Sequence, residues 1–248
     1  MIYDELRDII RKYENIVFLG GAGVSTASNI PDFRSATGIY NRKNNTEHSV
    51  EYMLSKRFFD ENPESFSRFY KGEVVMKDAI PNGAHHALTK LEESGKLLGI
   101  ITQNIDGLHQ KSGTKKVIEL HGSYRDEICI DCGKHFTLEY ALKQKGIVRC
   151  DYCSGIIRPN VTMYGEKLDE DIFNAAVELV AKADVLIVGG TSLVVYPAAG
   201  LIRRFNGEKL IIINKGKTKY DKKADLVFDE DIVKVLGEMV KDLEEKNG

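Results

Sequence analysis

Five short apolar runs constrain this chain more than any other feature. Ile16-Val17-Phe18-Leu19, Leu98-Gly99-Ile100-Ile101, Val185-Leu186-Ile187-Val188, Leu210-Ile211-Ile212-Ile213 and Leu226-Val227-Phe228 are rich in β-branched residues and bounded by Gly, Asn or charge. Continuous runs of this kind suit strands covered on both faces, the condition of a parallel sheet. Helical stripes separate them. Leu6, Ile9, Ile10 and Tyr13 precede the first run, and Ala84 to Glu93, closed by Gly95, precede the second. Ile172, Phe173, Ala176, Leu179 and Val180 precede the third, and Ile232, Leu236, Met239 and Leu243 end the chain. The alternation predicts an α/β fold, a Rossmann-like parallel sheet with helices on both faces.

Two stretches break the rhythm. Residues 35–76 are polar and aromatic without a clear buried strand, and residues 123–157 hold every cysteine. Both read as insertions that together make a smaller zinc-binding domain. The large domain is then discontinuous, taking residues 1–34, 77–122 and 158–248. The net charge of -2 gives no reason to expect nucleic acid or an anionic membrane as a partner. No run of about 18 apolar residues occurs, and the acidic start Met1-Ile2-Tyr3-Asp4-Glu5 is unlike a signal peptide. The expected location is cytoplasmic.

Cys129-x-x-Cys132 and Cys150-x-x-Cys153 are separated by 17 residues. A two-residue gap turns both thiolates of a knuckle toward one metal, and two knuckles complete the tetrahedron that zinc prefers. Gly133 and Gly155 follow the pairs where tight turns are needed. With all four places filled by protein, the ion is closed to substrate and structural. His135 is near enough to compete as a ligand but is expected to point outward. Between Ser123 and Ile157 five basic residues stand against five acidic ones, so a phosphate-reading ribbon is disfavoured.

The first apolar run leads into Gly20-Gly21-Ala22-Gly23-Val24-Ser25-Thr26. Glycines there allow a tight turn and close approach of a phosphate to backbone N–H groups. A hydride-transfer fingerprint would place an acid about 20 residues on, at the end of a second strand. Tyr40 to Asn45 occupies that place and is not a strand. Ligands in doubly wound sheets gather at carboxyl ends of strands. Polar tails follow three more runs: Thr102-Gln103-Asn104-Ile105-Asp106-Gly107-Leu108-His109, Gly189-Gly190-Thr191-Ser192 and Asn214-Lys215-Gly216. Val117-Ile118-Glu119-Leu120 brings His121 to a fourth such end. Of six histidines, His48, His85 and His86 fall in loops or an exposed helix, and His109 suits a helix cap. His121, followed by Gly122, is the natural general base.

Taken in order, these segments resemble the sirtuin family over nearly the whole chain. Gly21-Ala22-Gly23-Val24-Ser25, Ile30-Pro31-Asp32-Phe33-Arg34, Thr102 to Asp106, His121-Gly122, the cysteine pairs, Gly190-Thr191-Ser192 and Asn214 carry the likeness. The resemblance implies NAD as a co-substrate and one structural zinc ion. It implies removal of acyl groups from lysine side chains of proteins, with release of nicotinamide and O-acyl-ADP-ribose. Nicotinamide is thereby a product and an expected inhibitor, and a monomer is the simplest assembly. By analogy the acyl oxygen attacks C1′ of the nicotinamide ribose, and His121 then deprotonates a ribose hydroxyl. His121 and Asn104 are the catalytic candidates. The cofactor set is Gly21, Ala22, Gly23, Thr26, Asp32, Phe33, Arg34, Tyr40, Gln103, Asn104, Ile105, Asp106, His121, Gly190, Thr191, Ser192, Asn214, Lys215 and Asp231. The acyl-lysine set is Phe33, Val161, Thr162, Tyr164, Gly165, Glu166 and Val194. A loop over about 35–45 is expected to close over NAD and exclude water.

Three departures bear on this resemblance. Asn29 stands where the family usually has Gly, and Asn tolerates left-handed backbone. Thr162 and Tyr164 replace aliphatic and Phe residues of the acyl-lysine tunnel. Tyr70 matches one member of a tyrosine-plus-arginine pair that marks acidic acyl groups, but Glu73 takes the arginine's place. A carboxylate there would repel an acidic acyl group, so acetyl and other neutral groups are expected. The competing readings are mono-ADP-ribosyl transfer from the same site, a zinc-ribbon binding module without catalysis, and a dehydrogenase.

Overall fold

The computed structural model describes residues 2–33, 38–41 and 48–243. Arg34 and most of the expected closing loop lie outside them. Among the described residues the strands are β1 (Ile16–Gly20), β2 (Leu97–Thr102), β3 (Val117–Glu119), β4 (Gly122–Cys129), β5 (His135–Thr137), β6 (Ile157–Val161), β7 (Val185–Gly189), β8 (Lys209–Ile213) and β9 (Leu226–Phe228). The helices are α1 (Ile2–Lys12), α2 (Val50–Met53), α3 (Lys56–Glu61), α4 (Pro63–Phe69), α5 (Gly83–Glu93), α6 (Leu108–Lys111), α7 (Leu138–Lys143), α8 (Glu170–Ala181) and α9 (Ile232–Met239).

Six strands form one parallel sheet in the order β3-β2-β1-β7-β8-β9. This is the Rossmann order: strands are added outward from β1 to one side and then from β7 to the other, so the winding reverses between β1 and β7 while all strands stay parallel. Successive β1 side chains go to opposite faces, as strand geometry requires. Ile16 and Phe18 join Leu6, Ile10, Leu88, Leu91 and Leu236 from α1, α5 and α9. Val17 and Leu19 join Ala176 and Val180 of α8 and Leu201 and Ile202 of the short 3₁₀ helix Ala198–Arg204. Each fully buried Leu, Ile or Phe contributes roughly 1.5–3 kcal/mol, so the two aliphatic layers fix the sheet. The five apolar runs therefore become the strands expected of them, and Val117-Ile118-Glu119 adds a sixth at one edge.

The amino end of α5 is tied directly to the loop after β1. Asn82 Oδ1 accepts from Ala84 N at 2.8 Å, and its Nδ2 donates to Val24 O and Ser28 Oγ at 2.9 Å each. His85 completes this cap by accepting from Asn82 N through Nδ1. The sequence placed His85 on an exposed helix or loop; it is 0% exposed, against His109 at a ring separation of 4.9 Å. His109 likewise is no cap: it lies inside α6, buried against Phe18. Burial disfavours the charged imidazolium and depresses both rings, His85 to about 4 and His109 to about 3.

The remaining strands form an antiparallel sheet, β5-β4-β6. Helices α2 to α4 lie beside it, and their aromatic residues, conspicuous in sequence, are its packing partners. Phe58, Phe59, Phe66 and Tyr70 cluster with Tyr124, Val161 and Met163. Ser67 Oγ donates to Gly146 O at 2.8 Å and Lys71 Nζ to Gln144 O at 3.1 Å, joining the helical segment to the ribbon.

Candidate active site

Gly20 lies level with Thr102 on one side and Gly189 on the other, so three loops leave the sheet together at the reversal point. Their backbones touch. Gly21 N donates to Gly189 O at 3.1 Å and Gly23 N to Gly190 O at 2.9 Å. A Cβ on Gly23 would stand 2.7 Å from Gly190 Cα, a separation that real side chains do not reach. The glycines therefore serve close approach of two loops, and the amides of Gly21 and Gly23 are committed to carbonyls. The tight turn expected of the glycines is present, and here it packs against the loop after β7.

The tail after β2 is cross-bonded on every side. Gln103 N donates to Gly20 O at 3.0 Å, and its side chain reaches Thr191 Oγ1 at 3.2 Å. Asn104 N donates to Thr102 Oγ1, and Asn104 Nδ2 to Ser25 Oγ at 3.1 Å. Ser25 Oγ in turn donates to Asp106 Oδ2 at 2.7 Å, while Asp106 Oδ1 accepts the Leu108 amide at 2.9 Å and starts α6. Burial raises the Asp106 carboxyl, partly offset by these hydrogen bonds. Ser25, 1% exposed, is central to this knot and was not among the sequence candidates. Its only signal was a small hydroxyl at the end of the Gly-rich turn.

His121 sits in the turn between β3 and β4, half-buried. Its Nδ1 lies 2.8 Å from Gln103 O. A carbonyl only accepts, so Nδ1 carries the proton and Nε2 keeps its lone pair. Burial lowers the ring's affinity for a second proton. The ring is thus a neutral base of fixed tautomer near pH 7. Thr162 N donates to His121 O at 2.9 Å, which joins the base to the segment after β6.

Of the other candidates, Ala22, Thr26, Asp32, Phe33 and Tyr40 follow β1, with Ile39 N and Tyr40 N bonded to Asp32 O and Phe33 O. Ser192 is exposed beside Thr191. Asn214 follows β8, its Nδ2 turned onto Lys215 O and Gly216 O. Lys215 Nζ pairs with Asp231 Oδ2 at 3.0 Å, and Asp231 also caps α9 through Val233 N. Val161, Thr162, Tyr164 and Gly165 form one segment, and Val194 is 54% exposed after β7. Glu166 is not free for a substrate. Its carboxylate grips Arg158 at 2.5 and 2.8 Å and accepts the Met163 amide at 2.8 Å.

Glu73 is exposed, whereas Tyr70 is buried and stacked on Phe66. The carboxyl bearing on Tyr70 is instead Glu127, which lines the same cavity and is pushed up to about 8 by burial. Glu73 therefore does not share the buried environment of Tyr70 and is not placed to repel an acyl group there.

At the far end of β4 the four cysteine sulfurs lie within 4.8 Å of one another, with Cys129–Cys153 at 3.5 Å and Cys132–Cys150 at 3.7 Å. Four Zn–S bonds of about 2.3 Å at tetrahedral angles require edges near 3.8 Å, so the donor set fits zinc. The second knuckle turns at Ser154, φ 61°, and not at Gly155 as expected. Gly155 is instead pressed against Asp131. His135 points away, onto Asp126 at 2.8 Å. β4 pairs with β6 from Gly122–Val161 at the His121 end to Cys129–Ile157 at the sulfur end. Those four β6 steps of about 3.3 Å keep the cluster roughly 13 Å from His121, too far for a metal-bound reactant.

The fold and site together define a doubly wound nucleotide-binding protein with a four-cysteine metal module. Its kinship is equally specific. The Sir2 family model matches residues 21–197, and the chain belongs to that family. It is 56% identical over 234 residues to the NAD-dependent protein deacetylase of Clostridium acetobutylicum, covering 94% of this chain and 96% of that protein. The Clostridium tetani protein of the same name is 55% identical over 239 residues, covering 96% and 97%. A solved structure of Sir2 with a p53 peptide and NAD+ superposes with a TM-score of 0.85 at 41% identity, covering 97% of this chain and 98% of that one. Sir2Tm bound to a propionylated peptide gives 0.86 at 40%, with the same coverage.

Proposed function

We propose that this chain is an NAD-dependent protein-lysine deacetylase, active on acetyl and other neutral acyl groups, and that the crevice between β1 and β7 is its active site. The observation that carries the reading is the His121–Gln103 bond, which leaves Nε2 unprotonated and available as a base. NAD, when bound, supplies an activated ribose carbon from which nicotinamide departs. His121 takes a proton from a ribose hydroxyl. Asn104, held by Ser25 and Thr102, orients that ribose, and Asp106 with Ile105 walls the nicotinamide side. Such fixed donors need little reorganisation during reaction.

Gly21, Ala22, Gly23, Thr26, Asp32, Phe33, Arg34, Tyr40 and Gln103 hold one part of NAD. Gly190, Thr191, Ser192, Asn214, Lys215 and Asp231 hold the other. Phe33, Val161, Thr162, Tyr164, Gly165 and Val194 line the acyl-lysine site, and Glu166 supports it through Arg158. The sulfur cluster carries one structural zinc ion. The enzyme so proposed is a cytoplasmic monomer inhibited by nicotinamide, with a large domain of residues 1–34, 77–122 and 158–248. Among the described residues no helix is long and apolar enough to cross a membrane.

The test is mass spectrometry of an acetyl-lysine peptide incubated with the protein, with and without NAD. Acetyl loss only with NAD is expected. Acetyl loss without NAD refutes the mechanism, and ADP-ribose appearing on protein with the acetyl group retained favours the transferase reading.

A further inference from the structure

We propose that Tyr164 is a positioning residue that couples the acyl-lysine site to the NAD site through a paired phenol. The inference rests on the NAD and acyl-lysine reading above and adds a route between the two ligands. Tyr164 lies on the acyl-lysine segment, and its hydroxyl is hydrogen-bonded to the hydroxyl of Tyr40. Tyr40 belongs to the 3₁₀ turn Ile39–Asn41 on the cofactor side. The two residues are 124 positions apart in sequence, so the bond ties separate parts of the chain.

Both ends of the bond are anchored. On one side Tyr164 O accepts from Lys56 N at 2.9 Å and Tyr164 N donates to Leu54 O at 3.1 Å, fixing the segment to the start of α3. Two residues earlier, Thr162 N holds the carbonyl of His121. On the other side Tyr40 N donates to Phe33 O at 3.1 Å, and the two rings meet at 5.6 Å. A chain of contacts therefore runs from His121 through residues 162–164 to Tyr40 and Phe33, the residue assigned to both ligands. A peptide seated on residues 161–165 would bias where Tyr164 stands, and so where Tyr40 and Phe33 stand. Coupling of this kind must be reciprocal: each ligand changes the affinity of the other by the same factor. A phenylalanine at position 164 would keep the ring and its packing while losing this link.

The test measures binding of ADP-ribose, which lacks nicotinamide and cannot react, by calorimetry with and without an acetyl-lysine peptide. In the wild-type protein the peptide is expected to tighten ADP-ribose about fivefold or more, within the usual range of such coupling. Tyr164→Phe and Tyr40→Phe should each reduce that factor to below about twofold, and the double variant should lose nothing further, as expected for one shared interaction. Full coupling retained in either single variant, losses that multiply in the double variant, or no coupling in the wild type overturns the proposal. Failure of NAD-dependent acetyl removal by the wild-type protein would sink the deacetylase reading separately, because the binding experiment involves no turnover.

Discussion

The two ends of β4 carry two polar clusters built on opposite principles. At Gly122 the neighbouring His121, Gln103, Asn104, Ser25 and Asp106 satisfy one another through hydrogen bonds of 2.7 to 3.1 Å. At Cys129 four thiols face one another, and only a cation makes that arrangement favourable. One end is organised before any ligand arrives; the other acquires its organisation from a metal. Chemistry and metal clamp are thus separate properties joined by one strand, and they should fail separately.

The largest effect expected is on chemistry alone. His121→Ala should lower kcat by about 10³-fold or more, as loss of a general base commonly does, with zinc content and melting temperature unchanged. Matched turnover assays and thermal melts would show the split, and a fall in melting temperature of the same variant would blur it. Cys150→Ser acts from the opposite end. It should lose the zinc and destabilise the ribbon, lowering activity indirectly. Metal analysis beside a melt checks this, and full zinc with full activity would break the structural assignment.

A smaller effect comes from the buried histidines behind the site. Their folded-state values lie near 4 and 3, below the ordinary value of about 6.5. The unfolded chain therefore binds more protons through that window, and stability present above about pH 6.5 falls as the pH drops toward 4. At about pH 5 the loss is about 2 kcal/mol for each ring. Denaturant titrations at about pH 7.5 and 5 would detect it, and His85→Gln or His109→Gln should flatten the dependence. The smallest effect belongs to Glu73→Gln. Because Glu73 is exposed, the ratio of succinyl to acetyl removal should stay within about twofold, and a marked rise would restore Glu73 to the acyl pocket.

Sequence legibility followed the same division. The parallel sheet could be read directly, because strands buried on both faces leave continuous apolar runs such as Val185 to Val188. The cysteine pairs were legible because spacing alone fixes a ligand set. β4 was not, since Gly122-Ser123-Tyr124-Arg125-Asp126-Glu127 alternates neither cleanly nor strongly, and its partners β5 and β6 are short. Ser25 carries no local signal, because its role depends on Asn104 and Asp106, some 80 residues away. His85 is hidden for the same reason, because its burial against His109, itself packed on Phe18, is set by distant chain. Glu166 differs: its partners Arg158 and Met163 are within eight residues, but an ion pair across a strand end leaves no periodic pattern to read.

The most direct test of the central claim is a product balance on the acetyl-lysine peptide in the presence of NAD. Equal amounts of free lysine peptide, nicotinamide and O-acetyl-ADP-ribose are expected from the wild-type protein, and about 10³-fold slower formation of free lysine and O-acetyl-ADP-ribose from His121→Ala. Free acetate as the initial acyl product, or undiminished deacetylation by His121→Ala, would contradict that claim.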